Sequence, residues 1–410
     1  MTMFAILALS TFVHLTPADA LDDAVAASPD IAVASARVVE AAENLSAARG
    51  ALVPSLTAGY AQVPQGNPPG PNIISRLANI GLQTNVADFV AYGATVRENV
   101  LLLEASRDDA LVAIRTERLK TADLYFDALK ARAVVVARER AADLAAAQVD
   151  AARKRFEAGD GPRLDVVRAE STRERAATDL ESARGDDANA TDALALETGT
   201  SATDLAAIGS APQPVASSAP TPPVLSEIDP ATAVSRALAA RAELASAVAL
   251  EHAEEAACRA ASDQRFPSLL VGGGYTTGTD SGVEVNAPSV NVALSLPLGP
   301  GARSRIGVEA GKVREAQAHV ASERRTIILE VGSATRSVAT LGRVAQATTR
   351  AREFAERELT ATDLGYRNGA SSSLDVRSAQ TTYAQALVDE SSALYDLEKA
   401  RVILTIEMGP

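Results

Sequence analysis

The stretch Phe156–Ala169, FEAGDGPRLDVVRA, returns about 210 residues later as Tyr366–Ala379, YRNGASSSLDVRSA. An aromatic residue, a glycine, a Leu-Asp-Val run and an alanine recur in register: Phe156/Tyr366, Gly159/Gly369, Leu164/Leu374, Asp165/Asp375, Val166/Val376 and Ala169/Ala379. A repeat at this spacing means that one supersecondary unit is used twice. Other segments obey the same rule. Ala24–Ala32 matches Ala237–Ala245 and Pro54-Ser55-Leu56 matches Pro267-Ser268-Leu269, each displaced by about 213, and Leu196-Glu197-Thr198-Gly199 parallels Ile406-Glu407-Met408-Gly409.

Each copy of the motif joins two long helical patterns. From about Ala94 to Phe156 an apolar stripe (Leu101, Leu111, Ile114, Leu119, Phe126, Leu129, Val136, Leu144, Val149) meets almost no helix breaker. Roughly sixty residues at ~1.5 Å each make a rod of about 90 Å, which needs lateral helix neighbours along its length. The spacing predicts a second helix over Leu164–Glu197, and in the other repeat helices over about Ala302–Leu364 and Leu374–Glu407. An opening helix is expected over Leu21–Val53, closed by Pro54.

Between the opening and long helices, hydrophobicity switches to a period of two. Ser55–Val63 and Ile80–Val86 alternate, with a Pro/Gly/Asn loop expected over Pro64–Asn72. In the second repeat Ser268–Thr276 reads as a strand followed by a Gly-rich loop, and Val290–Leu298 places Val290, Val292, Leu294, Leu296 and Leu298 opposite Asn291, Ala293 and Ser295. The unit is helix–strand–strand–long helix–turn–helix, written twice as 21–199 and 227–410 around a Ser/Pro/Ala-rich linker, 200–226. Residues 1–20, with an apolar core from Met3 to Val13 and Ala18-Asp19-Ala20, read as a signal peptide cleaved before Leu21. The usual basic start of such a segment is missing.

Four strands of this length suffice to cross a bilayer when tilted. Strands in hydrocarbon must close, because an open edge leaves backbone groups unpaired. Known membrane barrels start at about eight strands, so four require partners: two copies at least, with three also reasonable.

Composition excludes other classes. The net charge is −13, unsuited to nucleic acid. Aromatics are 3% with no Trp, so close-packed Ala-rich helices replace a thick aromatic core; the same scarcity leaves only Tyr60, Phe89, Tyr92, Phe266 and Tyr275 as candidate interface aromatics near strand ends. One cysteine, Cys258, permits no disulfide framework. His252 and His319 stand apart on helical patterns and build neither a metal cluster nor a triad. Gly272-Gly273-Gly274 does not open a helix, so it is no phosphate cradle. No cofactor and no catalytic constellation is expected: the chain is not read as an enzyme.

The doubled plan and the paired turns F-x-x-G-x-x-x-x-L-D-V and Y-x-x-G-x-x-x-x-L-D-V resemble the TolC-like outer-membrane efflux proteins over Leu21–Met408. The resemblance implies a mainly α fold with a small β part. In it, a homotrimer forms one twelve-stranded outer-membrane β-barrel and a long periplasmic α-helical barrel. It implies the exit duct of a tripartite efflux or type I secretion system, with outer-membrane lipid, a periplasmic adaptor (membrane fusion protein) and an inner-membrane pump as partners. It places Gly159, Leu164, Asp165 and Val166, with Gly369, Ser373, Leu374 and Val376, at the periplasmic tip where the adaptor docks. Asp375 matches the first of two aperture aspartates, and Ser378 stands at the second. The residues themselves also support capping: Ser372-x-x-Asp375 is a capping box, and Pro162 with Asp165 forms a comparable helix start. Gly159 and Gly369 fit positive-φ positions after a helix. The alternative is a periplasmic coiled-coil structural or adaptor protein without a barrel.

Overall fold

The computed structural model describes residues 16–65, 73–85, 87–200, 229–263, 268–280, 283–295 and 301–409. Their order is α1 (Pro17–Ala27), α2 (Pro29–Gly50), β1 (Ser55–Gln65), β2 (Ile73–Asn85), α3 (Ala87–Glu157) and α4 (Arg163–Thr198). Then come α5 (Pro230–Ala240), α6 (Ala242–Asp263), β3 (Ser268–Asp280), β4 (Val283–Ser295), α7 (Gly301–Arg367) and α8 (Ser373–Glu407). The mainly α, duplicated plan stands, with four strands. Residues 1–15, 66–72 and 201–226, together with Val86, Phe266, Pro267, Leu296 and Leu298, lie outside the described residues.

Several expected boundaries move. The opening helix is two helices, because Pro29 has no N–H to donate and biases Ser28 to extended backbone, ψ 122°. The second repeat breaks at the equivalent Arg241 without a proline. α1 starts before the expected cleavage point, with Thr16 and Asp19 as a capping box and Ala20 fully buried against Tyr125, Phe126 and Leu194. β1 runs on to Gln65, into the expected loop, β2 begins at Ile73, well before the expected Ile80, and β3 runs on to Asp280 where a loop was expected. Cross-strand pairing carries these glycine-rich and polar ends: Gly278, at φ 149°, pairs with Leu77 and Val285. A Cβ there would collide with the Arg76 carbonyl, so only glycine fits.

The chain packs as two units. One takes the described parts of Met1–Ile31, Ala113–Arg241 and Thr326–Pro410; the other takes Ala32–Val112 and Ala242–Arg325. Each therefore draws matching segments from both repeats.

The second unit holds an antiparallel sheet in the order β1-β2-β3-β4. Its register builds rows on one face: Leu56–Leu82–Gly273–Val290, then Ala58–Ile80–Tyr275–Pro288, with Val271–Val292 and Leu269–Leu294 continuing the apolar side. Towards the other end the rows become Tyr60–Ala78–Thr277–Asn286 and Gln62–Arg76–Thr279–Glu284. Leu56, Ile80, Leu82, Val290, Val292 and Leu294 are exposed on this face. The middle rows of the opposite face, Ser55–Gln83–Gly272–Asn291, Thr57–Gly81–Gly274–Ser289 and Gly59–Asn79–Thr276–Ala287, are mostly polar and carry no charge; towards the far end that face continues as Ala61–Leu77–Gly278–Val285 and Asp280–Val283.

The first unit has a thin core of alanines and a few large side chains. Tyr125 and Phe126 meet edge to face at 5.4 Å beside Leu129 and Leu194. Next to the two helix breaks it buries paired polar clusters at corresponding positions of the repeats. In the first repeat Ser28 donates to Glu117 at 2.8 Å, and Lys120 lies 2.5 Å from Glu197 and 4.0 Å from Glu117. In the second, Arg241 donates Nε to the Glu407 carbonyl at 2.9 Å and Nη1 to Glu330 at 2.5 Å, and Arg115 binds Glu407. Two carboxylates face two arginines in the second cluster but share one lysine in the first.

Burial, and then the neighbouring Glu197, push the Glu117 carboxyl up, against the Ser28 hydrogen bond and Lys120. Burial would also raise Glu197, but its hydrogen bonds to Glu117 and Lys120 hold it below the ordinary carboxylate range. A raised carboxyl stabilises the fold at low pH and loses that contribution as pH rises through its folded pKa. Glu117→Gln keeps a neutral hydrogen-bonding group. It is therefore expected to melt with less loss between pH 5 and pH 8 than the wild type, as read by intrinsic fluorescence in detergent. Parallel curves would mean that Glu117 carries no extra proton.

Candidate functional site at the hairpin tips

Both tips lie in the first unit. α3 and α7 end in the same hydrogen-bonded turn: Gly159 N–H donates to Phe156 O at 3.0 Å and Asp160 N–H to Arg155 O at 2.9 Å, while Gly369 donates to Tyr366 O at 3.1 Å and Ala370 to Gly365 O at 2.7 Å. This 6→1 and 5→2 pairing is a Schellman motif, which needs a left-handed residue after the helix. Gly159 at φ 81° and Gly369 at φ 77° supply it, as the sequence implies.

The helices that follow start differently. Ser372 caps α8 with a full capping box: Asp375 accepts from the Ser372 N–H at 2.8 Å and from its hydroxyl at 2.7 Å. These bonds, side chain first and backbone second, hold the Asp375 carboxyl below its ordinary range while it stays exposed. Asp375 thus carries the cap read from the sequence.

The capping role expected of Asp165 does not appear. Pro162 is itself the N-cap of α4 and offers no side-chain bond. The Asp165 carboxylate instead accepts the Ser373 hydroxyl at 2.6 Å, across to the other hairpin, and lies 3.9 Å from Arg168. A proline cap has no hydroxyl to exchange with the third helical residue, which leaves that carboxylate for a longer-range partner.

Arg155 makes a second cross-link. Its guanidinium lies 4.3 Å over the Tyr366 ring, and it donates to Tyr366 O at 3.0 Å and Asp160 O at 3.3 Å. It therefore ties the first turn to the end of α7. Tyr366 is buried, whereas its counterpart Phe156 is half exposed. Sequence reasoning missed this pair. The available signal was a mismatch between copies: Arg155 aligns with Gly365, where a Cβ would collide with the Ser371 hydroxyl.

The remaining tip residues divide cleanly. Val376 is fully buried, and Val166 packs against Val149, Ala152 and Ala169. Leu164 and Leu374 are exposed at matching places, 52% and 53%, and Ser378 is exposed. Asp165, Ser373, Leu374 and Tyr366 share one cleft, while Asp375 does not line it. No group of His, Cys, Asp and Glu among the described residues is placed to hold a metal ion.

Comparison with known proteins fits this architecture. A family model described as outer membrane efflux protein matches residues 20–200 and 233–409. The outer membrane efflux protein BepC of Brucella suis biovar 1 (strain 1330) is 27% identical over 292 residues, covering 68% of this chain. The match spans 59% of BepC's length, under two thirds of it. The outer-membrane channel OprN superposes with a TM-score of 0.84 at 18% identity, over 97% of this chain and 91% of that one. The outer membrane protein VceC of Vibrio cholerae gives 0.81 at 18% identity, over 96% of each chain. With both tip turns, the four-stranded sheet and a match over most of its length in hand, the chain belongs to the outer membrane efflux protein family.

Proposed function

We propose that three copies of this chain form the outer-membrane exit duct of a tripartite efflux or secretion system. Their twelve strands close one barrel, and their helical hairpins form a periplasmic conduit that opens at the tips. The observation that carries this reading is the sheet: the exposed rows from Leu56 and Ala58 across to Val290 and Pro288 are largely apolar over all four strands, the rows behind them are largely polar, and the outer edges of β1 and β4 have no strand partner among the described residues. Alternation of this kind suits lipid on one side and a lumen on the other. β1 and β4 run in opposite directions, so the β1 of a second copy adds to β4 antiparallel, and the same joint repeated closes a ring. No described helix is long and apolar enough to cross a membrane.

The tips then serve as the gate and as the docking surface for a periplasmic adaptor, through Gly159, Leu164, Asp165, Val166, Gly369, Ser373, Leu374 and Val376. Asp375 and Ser378 stand towards the aperture. The duct performs no chemistry itself; the inner-membrane pump behind the adaptor supplies the energy. Repeats 21–199 and 227–410, the linker 200–226 and the signal 1–20 belong to the same proposal.

In a planar bilayer the purified protein should form pores that are mostly closed. Arg155 holds the two turns together with one stacked contact, worth about 0.5–2 kcal/mol, and one charge-assisted hydrogen bond, to Tyr366 O. About 1.4 kcal/mol is a factor of ten in an equilibrium, so Arg155→Ala should raise the open fraction about tenfold or more. Arg155→Lys keeps the charge but loses the planar fork and should fall between. A protein that forms no pores contradicts the duct, and pores unchanged in Arg155→Ala contradict the latch.

A further inference from the structure

Beside the second tip turn, α3, α4, α7 and α8 enclose a surface cleft whose polar lining includes Gln148, Asp165, Arg168, Thr172, Arg377 and Gln380. Its charge is unbalanced. Asp165 is engaged by Ser373 and has Arg168 at 3.9 Å. Arg377, half-buried, makes no hydrogen bond or ion pair through its side chain with the other described residues. One guanidinium is therefore left over, in a chain whose net charge is −13.

The two arginines do not descend from one repeat position, since Arg168 aligns with Ser378 and Arg377 with Val167. They meet because the two hairpins are packed together. The amides of Gln148 and Gln380 add donors, and the first turns of α4 and α8 present their positive ends nearby. Leu374, exposed, forms an apolar shoulder on the same cleft.

We propose that this cleft binds a carboxylate, presented as an Asp or Glu side chain by the protein that docks on the tips. A planar guanidinium with free donors matches a carboxylate in two-point fashion. The leucine shoulder favours a side chain on a protein over a free anion, because a partner segment covers the leucine as it delivers the charge. The proposal rests on the reading of the tips as a docking surface.

The first arm of the test uses sodium glutarate as the probe on the full-length protein in detergent. At 50 mM it should raise the melting midpoint by about 1–2 °C over sodium chloride of equal ionic strength, and Arg377→Gln should remove most of that rise. No rise, or an equal rise in Arg377→Gln, overturns the carboxylate site. The second arm places a photo-crosslinking residue at Leu374 in cells. A partner captured there should be lost about tenfold when Arg377→Glu is added, at equal outer-membrane levels. Capture that persists overturns the carboxylate contact and leaves the docking surface standing. No capture in the unsubstituted background overturns the docking surface itself.

Discussion

Val290→Arg is expected to abolish assembly in the outer membrane, while Ser289→Arg, one residue away, leaves it intact. Val290 lies mid-strand in β4 on the apolar face, 81% exposed, and Ser289 points to the other face opposite Gly274. A charge at the lipid-facing midplane of a barrel costs about 2–4 kcal/mol per copy, whereas the lumen face tolerates it. With one such charge in each of three copies the loss is comparable to the whole stability of an ordinary fold. The measurement is the amount of heat-resistant oligomer in outer-membrane fractions. If the sheet instead stood in water, an arginine at so exposed a site would change stability by no more than about 0.5 kcal/mol, and the two variants would behave alike.

Arg241→Ala should be the most destabilising single change in the helical unit, by about 3–5 kcal/mol, the usual effect of removing one partner from a buried ion pair. The Arg241 side chain is 1% exposed and binds Glu330, the Glu407 carboxylate and the Glu407 carbonyl at the C-terminal end of α8. Removal leaves the carbonyl without that donor and leaves both carboxylates to share Arg115 among the described residues. Glu330 is 43% exposed and can be solvated, so Glu330→Gln should cost well under half as much. Thermal melting in detergent distinguishes the two. A melting point for Arg241→Ala within a degree of the wild type would show that the cluster is not holding α8.

The duplication was legible because helix turns and strand alternation depend on local residue patterns. Gly159 and Gly369, placed after long stripes, could hardly be anything but left-handed caps, and Ser372-x-x-Asp375 announces its own hydrogen bonds. Strand lengths were read short. Gly278 and the residues near Ile73 pair only because a neighbouring strand is there to receive them, a tertiary effect that local propensity does not contain. The break at Ser28 was marked by Pro29, but the equivalent break at Arg241 had no proline and depends on the ion cluster around it. The same limit hid the tip contacts. Asp165 carries every local sign of a cap, yet its partner, Ser373, is 208 residues away. Only the packing of one hairpin against the other brings Arg155 onto Tyr366.

If the proposed duct is right, this chain acts as a closed ring of copies in the outer membrane. The most direct test is the mass of the native particle, by mass spectrometry after gentle detergent extraction of separated membranes. A particle of three chains, each the 42.3 kDa of the full sequence less the segment 1–20, found in the outer-membrane fraction and released only by detergent, is the predicted result. A single chain released into the periplasmic fraction without detergent would contradict it.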